Sequence, residues 1–379
     1  MKILYVTAYP DSLFSEYAQK KVKNLIYAPQ KFNSTFIKGF KDIGCNIEVL
    51  CPSDIEDEIL SPKTRISWKD VQENDIPYHF APTSSNRYIR KLIRDKAIKS
   101  YVKNFFKKNK DGIVIIDSLS TCAPIIHEAS SRICHIVTDV SNEASEHDKH
   151  STLYSMLSSS DYLVLLSEPM KEVIDTSHAK GISIVNGVAD SSIKEYTGKK
   201  EKVILYSGTL NESNGITNLI KAYKKLDTDY ELHFYGYGES VETILEESKL
   251  YPSIQYKGTL PSEIVVSKQQ SALILVNPRP TNQFFTPYSF PSKLIEYLAS
   301  GTATISTKLP CITDNYYSVL ESFENDTVEG IYDGLNCLVH KSKEELIEIG
   351  KAQQKFVLEN LSNTVQAQKV IDMINRYKD

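Results

Sequence analysis

Short runs of β-branched and other apolar residues alternate along the chain with longer segments in which apolar positions recur every three or four residues. This alternation is typical of parallel sheets built from β-α-β units. In the first half, the runs predict six strands: Ile3–Thr7, Asn46–Leu50, Gly112–Asp117, Ile133–Thr138, Tyr162–Leu166 and Ile182–Val185. In the second half, they predict six more: Val203–Tyr206, Tyr230–Tyr235, Ile254–Tyr256, Ala272–Val276, Thr302–Ser306 and Asn336–Val339.

Twelve strands exceed the usual width of one sheet, so the pattern favours an α/β protein with two doubly wound, Rossmann-like domains facing across a cleft. The polar stretch Ser191–Lys202 has the composition of a linker between them. We expect one domain over residues 1–195 and a second over residues 196–362. The last segment predicts two helices with a break near Asn360–Asn363, and the second of them, 363–379, is expected to return to the first domain.

Composition excludes several classes of protein. Of the 379 residues, 41% are apolar and 24% are charged, which argues against a disordered chain or a coiled coil. The net charge of −4 gives no global reason to expect nucleic-acid binding. The six cysteines are scattered without a C-x-x-C pair, so neither a zinc site nor a disulfide framework is indicated. Because no run of about 18 apolar residues occurs, we expect a reduced, cytoplasmic protein whose membrane contact, if any, is peripheral.

A basic amphipathic segment at residues 87–110 is the strongest local departure from this balance. It holds ten basic residues and one acidic residue, and its apolar positions follow the spacing of one helical face. One interpretation is that the apolar face packs on a sheet while the basic face is solvated. The other is that the helix lies at the inner surface of an anionic membrane. Both can hold if Arg90, Arg94 and Lys108 remain accessible.

The segment Val276–Gly301 carries the clearest candidate chemistry. A strand ends near Asn277, a proline-rich loop follows, and a helix begins near Pro291. Proline is favoured at the first helical position, and Ser289 or Ser292 could cap the helix.

Charged residues around this helix start suggest a ligand. The N–H groups of the first turn, together with Lys293, would form an anion site suited to a diphosphate. Arg279 in the preceding loop could add a fork of donors. Glu296, one turn further on, could accept hydrogen bonds from ribose hydroxyls. The same pattern also fits an ordinary capped helix with a surface lysine and glutamate.

Candidate catalytic groups in the first half are less distinct. Asp139 follows a predicted strand at its carboxyl end, where it could meet a substrate or cap a helix. His135 lies inside the same strand and is interpreted as a buried structural histidine. His147 and His150 lie near acidic residues, but their polar setting favours a solvated helix face over a metal site. The first β-α loop lacks G-x-G-x-x-G, which argues against nicotinamide binding.

The segment Tyr288–Gly301, with Asn277-Pro-Arg279 upstream, resembles the donor-binding loop and helix of the GT-B glycosyltransferases of family 4. More narrowly, it resembles the bacterial exopolysaccharide and capsule branch. The resemblance covers nearly the whole chain and is strongest from Val203 to Leu309. Other similar stretches are Ala28–Phe32, Ile136–Asp139, Leu165–Met170, Leu205–Leu210, Asn214–Ile216, Phe234–Gly238 and Tyr256–Leu260.

The resemblance implies a GT-B fold and transfer of a sugar, with retained configuration, from a nucleotide-sugar donor to a glycan or lipid-linked glycan acceptor. The expected donor is a UDP-sugar, the expected process is extracellular or capsular polysaccharide synthesis, and no metal or other cofactor is implied. The donor would bind the second domain and the acceptor the first. Carried over by position, the catalytic residues would be Asp139, Arg279 and Lys293. The donor-binding residues would be Gly208, Thr209, Asn214, Gly236, Leu260, Arg279, Tyr288, Ser289, Phe290, Pro291, Ser292, Lys293 and Glu296.

Three positions depart from the family pattern. Tyr288 stands where the family has the first glutamate of an E-x7-E element whose second glutamate is Glu296. Thr209 and Asn214 stand where an arginine and a lysine usually meet the diphosphate. We infer that Arg279 and Lys293 supply the positive charge instead. The departures leave open a catalytically degenerate glycosyltransferase-like partner subunit. A third hypothesis is that the protein is a nucleotide-sugar 2-epimerase of the same architecture.

Overall fold

A computed structural model describes residues 1–7, 27–52, 65, 67–117, 125, 132–138 and 152–377. The chain divides into two compact units. Unit 1 comprises Met1–Val188 and Asn363–Asp379, and unit 2 comprises Ala189–Ser362. Each unit is built on a largely parallel sheet, and the division falls slightly before the residue 195 expected from the sequence.

Unit 1 contains an eight-stranded sheet in the order β3-β4-β2-β1-β5-β6-β7-β8. Its strands are β1 (Lys2–Val6), β2 (Asn46–Cys51), β3 (Lys69–Glu73), β4 (Ile76–Phe80), β5 (Ile113–Asp117), β6 (Ile133–Val137), β7 (Tyr162–Leu165) and β8 (Gly181–Ile184). Its first helices are α1 (Tyr27–Asp42), α2 (Arg87–Lys108) and α3 (Thr152–Ser158). Central strands β5 and β6 are buried along their full length, as expected for a parallel sheet covered on both faces.

The six strands predicted in the first half of the chain are confirmed, and the structure adds an edge hairpin. Strands β3 and β4 pair antiparallel, with Glu73 opposite Ile76. The two turn residues, Asn74 and Asp75, both have positive φ, as a tight primed turn requires. The hairpin was missed because β3 is mostly polar and therefore lacks the apolar run that marked the other strands.

Unit 2 contains a six-stranded parallel sheet in the order β11-β10-β9-β12-β13-β14. Its strands are β9 (Glu201–Thr209), β10 (Glu231–Tyr237), β11 (Ile254–Tyr256), β12 (Ala272–Asn277), β13 (Ala303–Thr307) and β14 (Glu321–Phe323). Its helices are α4 (Ile216–Tyr223), α5 (Val241–Leu250), α6 (Ser262–Ser271), α7 (Ser292–Ala299), α8 (Val328–Val339) and α9 (Lys343–Leu361). Short 3₁₀ helices occur at Glu168–Glu172, Glu212–Asn214, Thr286–Tyr288 and Asp314–Ser318.

One predicted strand was wrong. Asn336–Val339 is the end of α8, not a strand, and the sixth strand of unit 2 is the shorter β14. Thr327 is the N-cap of this helix, and its side chain accepts a hydrogen bond from the Gly330 amide. Its buried positions, which include Ile331 and Leu335, recur with helical spacing. The apolar run at its end was too short to distinguish a strand from a buried helix turn.

The chain ends with α10 (Asn363–Arg376), which packs against α1 and β8 within unit 1. The predicted break between two terminal helices is therefore confirmed, because α9 ends at Leu361 and α10 begins at Asn363. Contact between α1 and α10 is close: a Cβ added at Gly39 would lie 2.2 Å from the Asn363 carbonyl oxygen.

The chain enters unit 2 at Ala189 and leaves it at Ser362, and these two residues lie next to each other. The Ala189 amide donates a hydrogen bond to the Leu361 carbonyl oxygen at 2.8 Å. Ala189 and Ser362 also form a parallel bridge. The first and last residues of unit 2 are thereby held side by side.

Within the described part of the chain, no helix is long and apolar enough to cross a membrane. The predicted donor-binding residues cluster around the carboxyl ends of β9, β10 and β12. In a parallel sheet, the loops after these strands lie at the same edge. They contain most of the residues expected to bind a donor.

Candidate functional site

The start of α7 supplies the first part of the site. Pro291 occupies the N-cap position and Ser292 is the first helical residue, so proline lies one position earlier than predicted. The expected capping bond from Ser289 or Ser292 is wrong, because no side chain of the described residues caps this helix. Among the described residues, the N–H groups of the first turn therefore have no side-chain cap, and they are suited to an anion.

Lys293 and Glu296 form an ion pair in the N-terminal half of α7. The Lys293 Nζ and Glu296 Oε2 atoms are 2.9 Å apart. The side chains are 40% and 15% exposed, respectively, so a ligand can reach both while Glu296 is the more sheltered. An ionised carboxylate accepts hydrogen bonds and donates none, so Glu296 is suited to a ligand that presents hydroxyl groups.

Two glycines bring the ends of β9 and β10 close to this pair. Gly208 and Gly236 lie opposite each other in the parallel register. A Cβ added at Gly236 would lie 1.9 Å from the Gly208 carbonyl oxygen, and one at Gly208 would lie 3.7 Å from Cγ of Lys293. Side chains at these positions would therefore disturb the sheet or fill the space beside Lys293.

The end of β9 and the loop after it contain Thr209 and Asn214, the two positions at which the sequence lacks the expected cations. The Asn214 side-chain amide donates to the Thr209 carbonyl oxygen at 3.0 Å. The hydroxyl of Tyr206 donates to the same oxygen, also at 3.0 Å. These contacts hold the loop against the end of β9 but add no positive charge. Lys293 does bring a positive charge near this strand end, because its Cγ lies 3.7 Å from a Cβ added at Gly208.

Most of unit 2 matches a known protein family. Residues 189–351 match the family model described as Glycosyl transferases group 1, and the match includes α7 with Lys293 and Glu296. Sucrose-phosphate synthase from Thermosynechococcus elongatus aligns over 99% of this chain and 98% of its own, with a TM-score of 0.66 and 11% identity. The protein is a glycosyltransferase of GT-B fold.

Two further solved structures contain ligands. S. aureus TarM, solved as a mutant in complex with fondaparinux, α-GlcNAc-glycerol and UDP, aligns over 99% of both chains with a TM-score of 0.65 and 13% identity. An E. coli trehalose-6-phosphate protein bound with UDP-2-fluoro glucose aligns over 98% of both chains with a TM-score of 0.63 and 11% identity. At such low identity, these alignments establish the fold. No curated protein matches the chain significantly.

Arg279, which the sequence assigns to diphosphate binding, is a buried residue. The residue is 8% exposed, and its Nη1 atom donates to the Ser289 carbonyl oxygen at 3.2 Å. Its guanidinium also lies 5.0 Å from the ring centroid of Phe285. These contacts join both ends of the β12–α7 loop. The geometry therefore gives Arg279 a loop-positioning role, and its contact with a diphosphate stays a prediction.

Other predicted donor residues on this loop differ in accessibility. Phe290 is buried and packs on Tyr316, with ring centroids 6.2 Å apart, so only its backbone could meet a donor. Pro291 is also buried, and Leu260 packs partly against the sheet. Tyr288 is partly exposed, with its ring against that of Phe284.

In unit 1, Asp139 lies outside the described residues, as do His147 and His150. The structure instead reveals a buried network that sequence reasoning missed. The Tyr5 hydroxyl donates to Asn33 Oδ1 at 2.6 Å, and the Asn33 amide donates to Asp117 Oδ2 at 2.7 Å. Burial and the nearby Asp117 raise the pKa of Tyr5 well above its ordinary value. An aspartate ending the apolar run of β5 was the available sequence signal.

His135 is confirmed as a buried histidine within β6. Burial lowers its pKa from 6.5 to about 4, so the ring is neutral near pH 7. Ser160 Oγ lies 3.5 Å from its Nδ1 atom. Among the described residues, no group of three His, Cys, Asp or Glu side chains is arranged to hold a metal ion.

The basic helix α2 divides into two parts. Toward its C-terminal end, Ile98, Val102 and Phe105 are buried against the sheet of unit 1. Near its N-terminus, Tyr88 and Leu92 are 78% and 70% exposed. The interpretation in which the apolar face packs on a sheet is confirmed for the C-terminal half of the helix, and membrane contact stays a prediction.

The three basic residues that the sequence assigned to the accessible face of α2 are not equally available. Arg90 Nε donates to the Ser84 carbonyl oxygen at 2.7 Å. Arg94 is paired with Asp95 at 3.2 Å and is mostly buried. Lys108 is exposed at the C-terminal end of the helix. Lys91 is exposed near the N-terminal end, between Tyr88 and Leu92 in the sequence.

Proposed function

We propose that this glycosyltransferase transfers a sugar from a UDP-sugar to a glycan or lipid-linked glycan acceptor, with retained anomeric configuration, in extracellular or capsular polysaccharide synthesis. The observation that carries the donor assignment is the Lys293–Glu296 pair, 2.9 Å apart, in the N-terminal half of α7. A cation and backbone N–H groups at one helix start suit a diphosphate. A sheltered carboxylate one turn further on suits a pair of ribose hydroxyls.

In this mechanism, Lys293 and the first turn of α7 neutralise the nucleoside diphosphate as it departs from the sugar. This charge develops in the transition state, so stabilising it lowers the barrier to transfer. Glu296 orients the nucleotide through its ribose, while Arg279 keeps the β12–α7 loop in place. Asp139 of unit 1 is proposed to meet the sugar substrates. No metal ion is assigned to the reaction.

The uridine base is supported by the fold relatives that were solved with UDP or a UDP-sugar derivative. The decisive test is a thermal-shift series with UDP, GDP, ADP and dTDP at matched concentrations. A ligand that binds only the native state at about 100 times its dissociation constant adds about 2.7 kcal/mol of stability. We expect UDP to raise the melting temperature of the wild type and to have a much smaller effect on Glu296→Ala.

A matched control exists elsewhere in unit 2. Lys224 and Glu247 form another pair at 2.9 Å, and their side chains are also partly exposed. Glu247→Ala should respond to UDP as the wild type does. If no nucleotide stabilises the wild type, the donor assignment fails and the degenerate partner subunit becomes the leading alternative.

We also propose that the N-terminal half of α2 contacts an anionic membrane surface. Exposed Tyr88 and Leu92 could enter the lipid interface, while Lys91 and neighbouring basic residues would approach anionic headgroups. This would bring the protein to a lipid-linked acceptor. The packed half of the helix would hold the contact surface on unit 1.

A further inference from the structure

The β12–α7 loop presents an aromatic side chain that its role in donor binding does not use. Phe284 is 70% exposed, although burying such a ring would stabilise the protein by about 1.5–3 kcal/mol. Its ring packs edge-on against Tyr288, with centroids 5.9 Å apart and an interplanar angle of 65°. Phe285 is partly exposed beside it. Three aromatic residues therefore occur within five positions at a surface.

This loop is held in a defined conformation. Thr286 is fully buried, its amide donates to the Gln283 carbonyl oxygen, and its hydroxyl donates to that of Pro280. Arg279 lies over Phe285 and binds the far end of the loop. The exposed ring of Phe284 is consequently presented by an ordered support, which lowers the entropy cost of binding a ligand there.

The preceding part of the same loop borders a cavity of about 470 Å³. Its lining contains three carboxylates, those of Glu212, Glu239 and Asp326, and the side-chain amides of Asn218, Asn282 and Gln283. Among the described residues, no lysine or arginine lines it. Asp326 already accepts hydrogen bonds from the amide and hydroxyl of Thr281, so it helps to shape this wall. Such a lining disfavours a diphosphate, because like charges repel. Its carboxylates, amides and hydroxyls instead match an uncharged ligand rich in hydroxyl groups.

We propose that Phe284, supported by Tyr288, stacks against the apolar face of a pyranose ring of the glycan acceptor, and that the adjoining cavity binds hydroxyl groups of that glycan. A pyranose has the two surfaces that this arrangement complements, a C–H face and a hydroxyl edge. The lining includes neither Lys293 nor Glu296 and carries negative rather than positive charge, and for that reason we assign the acceptor rather than the donor. The inference rests on the proposed function and adds an acceptor contact in unit 2.

The test uses the full chain and saturation-transfer NMR with the methyl pyranosides of glucose, galactose and N-acetylglucosamine as probes. We expect saturation of the ring protons of at least one probe in the wild type. Phe284→Ala should weaken its binding by up to about tenfold, the range of a single aromatic contact, while Phe284→Trp retains it. Leu250→Ala, which removes a similarly exposed apolar side chain on α5, should leave the signal unchanged.

Competition distinguishes the acceptor from the donor subsite. A UDP-sugar that abolishes the probe signal when UDP alone does not would place the pyranoside in the donor-sugar position and overturn the assignment. Absence of a signal from every probe in the wild type, or an equal signal in Phe284→Ala, would also overturn it. UDP-dependent stabilisation of the same samples reports separately on the donor site, so failure of the aromatic subsite cannot be mistaken for failure of the proposed function.

Discussion

The phenolic oxygen of Tyr297 on α7 binds both backbone groups of Ser207 on β9. It accepts a hydrogen bond from the Ser207 amide at 2.7 Å and donates one to the Ser207 carbonyl oxygen at 2.8 Å. Tyr297 is fully buried, and Ser207 immediately precedes Gly208. A single side chain thus fixes the helix that carries Lys293 and Glu296 to the strand whose end approaches Lys293.

Replacing this tyrosine should destabilise the protein more than a comparable change elsewhere. Tyr297→Phe leaves two buried backbone groups without this partner, at a cost of about 1–3 kcal/mol for each unsatisfied group. Tyr223→Phe is the comparison, because its hydroxyl donates to one carbonyl oxygen, that of Tyr230, at 2.6 Å. Urea unfolding should give a clearly larger loss for Tyr297→Phe. Equal losses would show that the double contact with Ser207 adds nothing.

Lys293→Ala should lower the rate of glycosyl transfer by about a hundredfold, the usual scale for removing one group that stabilises developing charge. Its pair with Glu296 is partly exposed, so the melting temperature without ligand should change little. Steady-state kinetics and thermal unfolding on the same preparations check both expectations. Lys224→Ala removes a similar pair with Glu247 and should keep wild-type turnover. Unchanged turnover in Lys293→Ala would contradict the proposed role.

Gly236→Ala should be strongly destabilising for two reasons. Its φ of +134° disfavours any residue with a side chain, and the new Cβ would lie 1.9 Å from the Gly208 carbonyl oxygen. Gly258→Ala isolates the first effect, because Gly258 has a φ of +80° and no atom of the described residues lies within 4 Å of an added Cβ. Thermal unfolding should show a modest loss for Gly258→Ala, on the order of 1–2 kcal/mol, and a larger one for Gly236→Ala. The reverse ranking would refute this account of the β9–β10 contact.

His135 should make the protein less stable in mild acid. Its folded-state pKa of about 4 is below the unfolded value near 6.5, so the unfolded chain binds a proton first as pH falls. The contribution is complete above pH 6.5 and is lost between pH 6.5 and about 4, at up to about 1.4 kcal/mol per pH unit. Unfolding of wild type and His135→Asn across this range should show a shallower slope for the variant. Parallel slopes would exclude His135 as the source.

The protein should sediment with anionic liposomes but not with neutral ones. Leu92→Ser should reduce sedimentation because it removes an exposed apolar side chain from the N-terminal half of α2. Leu250→Ser is the control, since Leu250 is equally exposed on a helix of unit 2. Salt should weaken the wild-type interaction by screening the basic residues. Equal sedimentation with neutral and anionic liposomes would dispose of the membrane proposal.

Apolar patterning predicted the strands that form the centre of both sheets because buried parallel strands are continuous apolar runs. It failed at β3, whose residues are polar, and at the end of α8, where four apolar-rich residues were ambiguous. Around the site, the position of α7 and the proximity of Lys293 to Glu296 followed from helical spacing. The burial of Arg279 did not, because the direction of a long side chain in a loop depends on contacts that are distant in sequence.

Tyr297 and Asp117 illustrate the same limit. Their spacing gives no sign that one binds the backbone of Ser207 or that the other joins Tyr5 and Asn33. A tyrosine within an apolar helix face is equally compatible with simple core packing. Only the folded arrangement, in which a polar atom must find a buried partner, identifies these residues.

Unit 2 is an insertion into unit 1, and the bridge between Ala189 and Ser362 holds its two ends next to each other. Such an arrangement lets an inserted domain be removed and its host rejoined by a short connection. A gene fragment encoding residues 189–362 is therefore a natural choice for producing alone the unit that matches the glycosyltransferase family model. Joining residue 188 directly to residue 363 would yield the complementary half, with α10 still able to reach α1.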